Sequence, residues 1–290
     1  MSYIDLHVHS TASDGTCSPA QLIPLASEAG LSAIALTDHD TISGIPEALH
    51  ASHSSSVEVI PGIELSAVWQ EKEIHILGLF LDVENTRLNQ FLEQMRQLRE
   101  ERNDEIIRRL AKAGFSMTRE ELTGENPETV ITRAHFARVM VEKHYVSSTK
   151  EAFHRYLEPG CPYCPRKERV TPEAAMDILT STHAFPALAH PLLYKFSNQD
   201  LDNLVAFLKT LGLEGLEVYH SSCNRYENSK LKALASKYSL LPTGGSDFNG
   251  ENKPDIRIGP GRGNLHKSSL LLDDISKRHA LFFPEDKGFF

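Results

Sequence analysis

Short apolar runs ending on histidine, aspartate or glutamate recur along this chain, and the stretches between them carry helical spacing. The first run, residues 3–6, delivers His7 and His9. Side chains alternate faces along a strand, so residues two apart share one face. Ser18-Pro19 then opens a helix over 19–28, with Leu22, Ile23, Leu25, Ala26 and Ala29 suited to a buried face and Gly30 as its stop. Residues 32–36 read as a buried strand that ends at Thr37-Asp38-His39-Asp40, and a helix follows over 42–50. A third strand begins at 57–60 and runs through Pro61-Gly62 to Glu64, and the run 74–81 carries His75 near its start. After residue 170 the alternation returns. A helix from Thr171-Pro172 to Leu179 is followed by strands at 186–190, 216–220 and 240–247, which end in His190, His220 and Asp247, with helices at 200–211 and 227–238 between them. About seven strands separated by helices predict parallel βα units, whose functional groups gather at the carboxyl ends of the strands.

Between about 85 and 165 the pattern carries no strand. Residues 87–113 predict one long helix in which Arg96, Arg99, Arg102, Arg108 and Arg109 interleave with Glu93, Glu100, Glu101 and Glu105. Mixed charge at this spacing reads as a solvated face with i,i+4 pairs. Further helices fall at 119–122, 133–143 and 149–156. Residues 85–165 are therefore expected to form an inserted helical lobe, with 1–84 and 166–290 composing the α/β barrel.

Composition narrows the function. With 40% hydrophobic and 24% charged residues in 290, the chain is globular in type, and neither a signal segment nor a membrane-length apolar run is present, which predicts a cytoplasmic protein. The four cysteines, Cys17, Cys161, Cys164 and Cys223, are too scattered for a disulfide framework, and Cys161-Pro-Tyr-Cys164 reads as two loop thiols. A net charge of -9 argues against a long grip on duplex nucleic acid but allows a small anionic substrate in a locally positive pocket.

His7, His9, Asp14, Asp38, His39, Asp40, Glu64, His190, His220 and Asp247 all fall at strand ends, with His75 close by. So many ionisable groups at one end of a barrel require metal or mutual pairing. Imidazole and carboxylate donors together suit Mn, Zn or Fe.

The motifs His7-Val-His9-Ser10 with Asp14-Gly15, Thr37-Asp38-His39-Asp40, Pro61-Gly62-Ile63-Glu64, His75-Ile-Leu-Gly78, Ala189-His190-Pro191 and Gly245-Ser246-Asp247-Phe248 together resemble the PHP (polymerase and histidinol phosphatase) family of metal-dependent phosphoesterases. The resemblance implies a distorted (β/α)7 barrel. It is nearest to the branch with an inserted helical lobe, whose members include a 3′,5′-nucleotide bisphosphate phosphatase and a 5′-to-3′ exonuclease of short RNA. Residues 133–138, Tyr163-Cys-Pro-Arg166 and the segment 253–262 resemble that branch as well.

The resemblance implies that His7, His9, Glu64 and Asp247 bind one metal, and that Glu64 bridges to a second held by His75 and His190. Asp14, His39 and residue 249 would hold a third. Much of the family has His at that last position, and here it is Asn249, so the expectation is two or three divalent ions. Glu64 and His190 then sit at the reacting centre, while Asp38, Asp40 and His220 orient ligands or give a proton to the leaving oxygen. Arg133 and His135 are expected to grip a second phosphate, with Arg166 and Arg257 as weaker candidates. The expected activity is hydrolysis of a phosphate monoester on a 3′,5′-bisphosphorylated nucleotide or at the 5′ end of short oligonucleotides. A histidinol-phosphate-type phosphatase and a non-catalytic metal-binding module are the alternatives. The lobe speaks against the first, and the full set of ligand-type residues against the second.

Overall fold

A computed structural model describes residues 2–124, 126–127, 129–158, 161–165 and 170–282. Eight strands, β1 (Tyr3–Val8), β2 (Leu31–Leu36), β3 (Glu58–Trp69), β4 (Lys72–Leu79), β5 (Phe185–Leu188), β6 (Gly215–His220), β7 (Leu241–Gly245) and β8 (Lys267–Ser268), form one sheet in the order β7-β6-β5-β4-β3-β2-β1-β8. The sheet curls until its ends meet. Val8 bridges Phe248 in parallel sense, Asp247 N donates to His7 O at 2.9 Å, and His9 N donates to Phe248 O at 2.9 Å.

The expected alternation appears in β1–β2–β3 and β5–β6–β7, which pair in parallel. Helices α1 (Pro19–Glu28) and α2 (Ile45–Ser52) link the first group. Ser18 caps α1 through a reciprocal pair with Gln21, with Pro19 in the first turn.

The structure departs from a uniformly parallel barrel at β4, which is antiparallel to both β3 and β5. The reason is local. Only Gln70 and Glu71 separate β3 from β4, both at positive φ, and two residues can close a hairpin but not a helical crossover. The reversal puts the start of β4 on the same rim as the ends of the parallel strands, which is why His75 lies near the beginning of its run and pairs with Ser66.

Helix α3 (Thr86–Lys112), capped by Asn85, leaves the barrel, and α4 (Arg119–Thr123), α5 (Arg133–Glu142), α6 (Thr149–Ala152) and a π-helical turn (Phe153–Leu157) follow it. The chain returns through α7 (Pro172–Ser181), and α8 (Asn198–Thr210), α9 (Arg225–Lys237) and α10 (Leu270–Phe282) pack outside the barrel. The apolar interior divides within α3. Leu88, Leu92 and Met95 belong to the barrel core with Ile63, Leu65 and Leu179, whereas Ile106 and Leu110 join Leu122, Phe136, Met140 and Leu157 in a separate lobe core. No helix among the described residues is long and apolar enough to cross a membrane.

Candidate metal centre

The strand ends deliver their groups to one buried cluster. His7 and His9 are fully buried with their Nε2 atoms 3.1 Å apart, as strand alternation requires. Glu64, 1% exposed, lies between two sets of imidazoles. Its Oε1 is 2.8 Å from His190 Nε2 and 2.9 Å from His75 Nδ1, while its Oε2 is 3.3 Å from His7 Nε2, 3.3 Å from His9 Nε2 and 3.2 Å from His39 Nδ1. Asp247 Oδ1 stands 3.4 Å from His9 Nε2, and Asp14 lies 3.6 Å from His9 and 3.7 Å from His39. Asp40, His190 and Asp247 all adopt positive φ, a backbone state side chains rarely take, so local strain concentrates at this rim. Close packing requires glycine at 245, where a Cβ would come 2.3 Å from that of His7.

The donor chemistry fits divalent metal. Glu217, fully buried, accepts from His7 Nδ1 at 3.0 Å, which turns Nε2 to the carboxylates of the cluster. Such an arrangement needs a cation. His9 Nδ1 and His190 Nδ1 are buried and without a hydrogen-bond partner, and His7–Glu64–His190, His7–His9–Asp247 and His9–His39–Glu64 each bring three ligand atoms within 4.8 Å of one another. When protons are the only cations, they gather here. Burial opposes the charge on His9 and His75, yet Asp247 and Glu64 raise His9 to about 9, and Glu64 and Glu73 raise His75 to about 10. Burial lowers His39 to about 3, keeping it neutral. Burial alone would raise the Glu64 carboxyl, but His39, His75 and His7 hold it well below the usual range.

A second layer fixes these ligands. Glu217 also accepts from His190 N at 2.6 Å, and Tyr194 accepts from His75 N at 2.9 Å and donates to Ala189 O at 2.7 Å. Asp5 accepts from Ser246 N, Ser246 Oγ and Gly259 N, tying the end of β7 to β1. Glu73 links His75 Nε2, 3.3 Å away, to Arg133 at 2.6 Å.

The expected orienting and proton-donating residues divide by what they touch. His220 touches a ligand-type group: its Nε2 is 3.3 Å from Asp247 Oδ2 and its Nδ1 meets Ser222 Oγ at 2.7 Å. Asp38 and Asp40 are held by neighbours on the rim. Asp38 accepts from Ser10 N, Ser10 Oγ and Ser13 Oγ and so braces the turn that carries Asp14, and Asp40 is ion-paired with Arg99 while accepting from Ser66 N at 2.8 Å. Asn249 donates to Asp14 Oδ1 at 2.8 Å. His135, 7% exposed, accepts from Thr132 N at 2.9 Å, which makes it part of the α5 cap, although Asp14 is near enough to influence its charge. Arg257 is exposed, with its backbone paired to Gly261, and Arg166 lies outside the described residues.

Sequence reasoning missed Arg99, Glu73, Glu217 and Lys253. Arg96 and Arg109 make the expected helix-surface pairs with Glu93, Glu100 and Glu105. Arg99 instead has a side chain only 13% exposed, turned inward to Asp40 and to Ser66 Oγ, and the charges of Arg102 and Arg133 act on it. The signal was its phase: Leu88, Leu92, Met95, Arg99, Asn103 and Ile106 follow the three-and-four spacing of one buried stripe. Glu217 could have been found as the lone charge inside the apolar run Leu216–Val218.

Comparison with known proteins shows the family and the fold. The PHP domain family model matches residues 5–241. A 5′-3′ exoribonuclease of Haemophilus influenzae is 35% identical, covering 84% of this chain and 89% of that protein. A 3′,5′-nucleoside bisphosphate phosphatase of Chromobacterium violaceum is 31% identical over 88% of this chain and 91% of that one. Among solved structures, an amidohydrolase from Chromobacterium violaceum with bound sulfate superposes with a TM-score of 0.84 at 28% identity, covering 96% of this chain and 97% of that one.

Proposed function

The chain belongs to the PHP domain family, and from that premise we propose that it is a metal-dependent phosphoesterase removing a phosphate from 3′,5′-bisphosphorylated nucleotides or from the 5′ end of short RNA. The observation that carries this reading is Glu64, whose two oxygens serve separate imidazole sets. In this reading His75, His190 and Glu64 would hold one ion, and His7, His9 and Asp247, again with Glu64, would hold another. Bound divalent ions would supply Lewis-acid activation of the phosphoryl group and of the attacking water.

The chain's own residues do the rest. Glu217 fixes the tautomer of His7 and the backbone of His190. Asp247, clamped by His220, keeps an acceptor at the mouth. The charges of Arg102 and Arg133 act on Arg99 beside Asp14, and such a concentration of guanidinium groups favours a polyanion, so this side of the site is the grip for the substrate's second phosphate. His135 adds to this side of the pocket. The relatives' names, an exoribonuclease and a bisphosphate phosphatase, point to the same two substrate types.

The test is turnover by Mn²⁺-loaded protein of adenosine 3′,5′-bisphosphate, a 5′-phosphorylated short RNA and histidinol phosphate. The first two are expected to exceed the third in kcat/KM. Preference for histidinol phosphate would overturn the substrate assignment, and inactivity on all three would overturn the enzyme reading.

A further inference from the structure

Of the residues expected to hold a third ion, Asp14 lies 3.7 Å from His39, but Asn249 does not turn its oxygen to Asp14. Asn249 is 2% exposed and turns its amide nitrogen, not its oxygen, to Asp14 Oδ1. That orientation is chemically dictated, because an amide oxygen there would face a carboxylate. Asn252 Nδ2 adds a second amide donor, to the Asp14 carbonyl at 2.8 Å. An ion between Asp14 and Asn249 would have to break the first of these bonds and flip the amide.

A different cation reaches this side of the centre. Lys253 follows the single 3-10 turn Gly250–Asn252, and its Nζ lies 2.6 Å from Asp247 Oδ2. Asp247 Oδ1 faces His9 on the opposite side, so one carboxylate separates the ammonium from the imidazole cluster. The lysine side chain remains 37% exposed, so the ammonium can be approached from solvent on the face that Asp14 and Asp247 share. A flexible four-carbon stem lets it move from carboxylate to phosphate without rebuilding the loop.

We propose that Lys253 supplies a positive charge of this centre from the Asp247 side, contacting the phosphate under attack where the expected third ion would otherwise have supplied it. The proposal rests on the phosphoesterase reading for its substrate, but its placement of charge does not. A third ion at Asp14 and an ammonium held beside it on Asp247 would repel each other, so the chain uses one or the other. Asn249 and Lys253 together select the ammonium.

The experiment compares wild type, Lys253→Met, Lys253→Arg and Asn249→His/Lys253→Met, each loaded with Mn²⁺ and desalted, by elemental analysis and by hydrolysis of 4-nitrophenyl phosphate and adenosine 3′,5′-bisphosphate. Wild type is expected to retain two ions per chain. Lys253→Met should also retain two while losing about 100-fold in kcat, the scale of removing one charge-stabilising group, and Lys253→Arg should keep activity within about tenfold of wild type by preserving the charge. The double variant should gain a third ion and recover part of the lost kcat. Three ions in wild type, unchanged kcat in Lys253→Met, or loss of an ion from Lys253→Met would each overturn the proposal, the last by showing that the lysine only props Asp247. The ion counts need no substrate, so an inactive wild type with the expected counts would defeat the phosphoesterase reading and support the charge placement.

Discussion

At the scale of the residue, the centre depends on groups that face two ways at once. Glu64 serves imidazoles through both oxygens, so Glu64→Gln, which keeps the shape and removes the charge, should abolish activity and lower metal retention on both sides of the site. Elemental analysis of the desalted variant checks this. Full retention of metal would mean that Glu64 is not shared. Glu217 is one layer out and touches His7 and the backbone of His190 without reaching the mouth. Glu217→Gln should therefore weaken metal binding about 10- to 100-fold, the usual cost of losing a residue that orients a ligand, and a metal titration with a competing chelator measures it. An unchanged affinity would show that the His7 tautomer is set elsewhere.

At the scale of the element, α3 joins the two cores and carries Arg99 inward to Asp40, which is 2% exposed. Removing one partner of a buried pair leaves the other unsatisfied, so Arg99→Met should cost roughly 3–5 kcal/mol of stability, and adding Asp40→Asn should restore part of it. Denaturant unfolding of the two single variants and the double variant gives the coupling, and strict additivity of the two would argue against the pair. In α5, Phe136 is fully buried in the lobe core. Phe136→Ala should cost about 3–5 kcal/mol through lost contacts and the cavity left behind. If the lobe core unfolds separately from the barrel, hydrogen exchange in this variant should rise in α4 and α5 and stay unchanged in β1–β3, whereas a uniform rise would show one cooperative unit.

At the scale of the whole molecule, metal and protons compete for one cluster. His9 and His75, ordinarily near 6.5, are raised to about 9 and about 10, and a raised folded-state value stabilises the fold below 6.5 and loses that contribution as pH climbs through the folded value. Chelator-treated protein should accordingly lose thermal stability between pH 7 and 10. Metal-loaded protein should lose much less over the same interval, because its imidazoles are already neutral ligands. Glu64 and Asp247 are depressed, so their contribution is present throughout this window and fades only in acid. For the same reason, metal loading at pH 7.5 should release at least two protons per chain, from His9 and His75 and from His7, which Glu217 and Glu64 also raise. Calorimetry in buffers of different ionisation enthalpy reads that number, and a release near zero would contradict the charge state described here.

The sequence by itself determined the strands and the groups at their ends. A period of two puts His7 and His9 on one face, apolar runs locate β2, β5, β6 and β7, and the absence of such runs marks the helical insertion. Those are local facts, set by which side chains a short stretch must bury. Tertiary structure decided what depends on direction and proximity. The two-residue turn at Gln70 and Glu71 reversed β4 and brought His75 to the rim, a choice that alternation cannot express because it is the same for either strand direction. Arg99 reads as one more surface charge until the helix is docked and its stripe turns inward. Glu217 and Lys253 acquire meaning only opposite His7 and Asp247, which lie on other elements, because the energy of a buried charge is fixed by the partner that folding puts beside it.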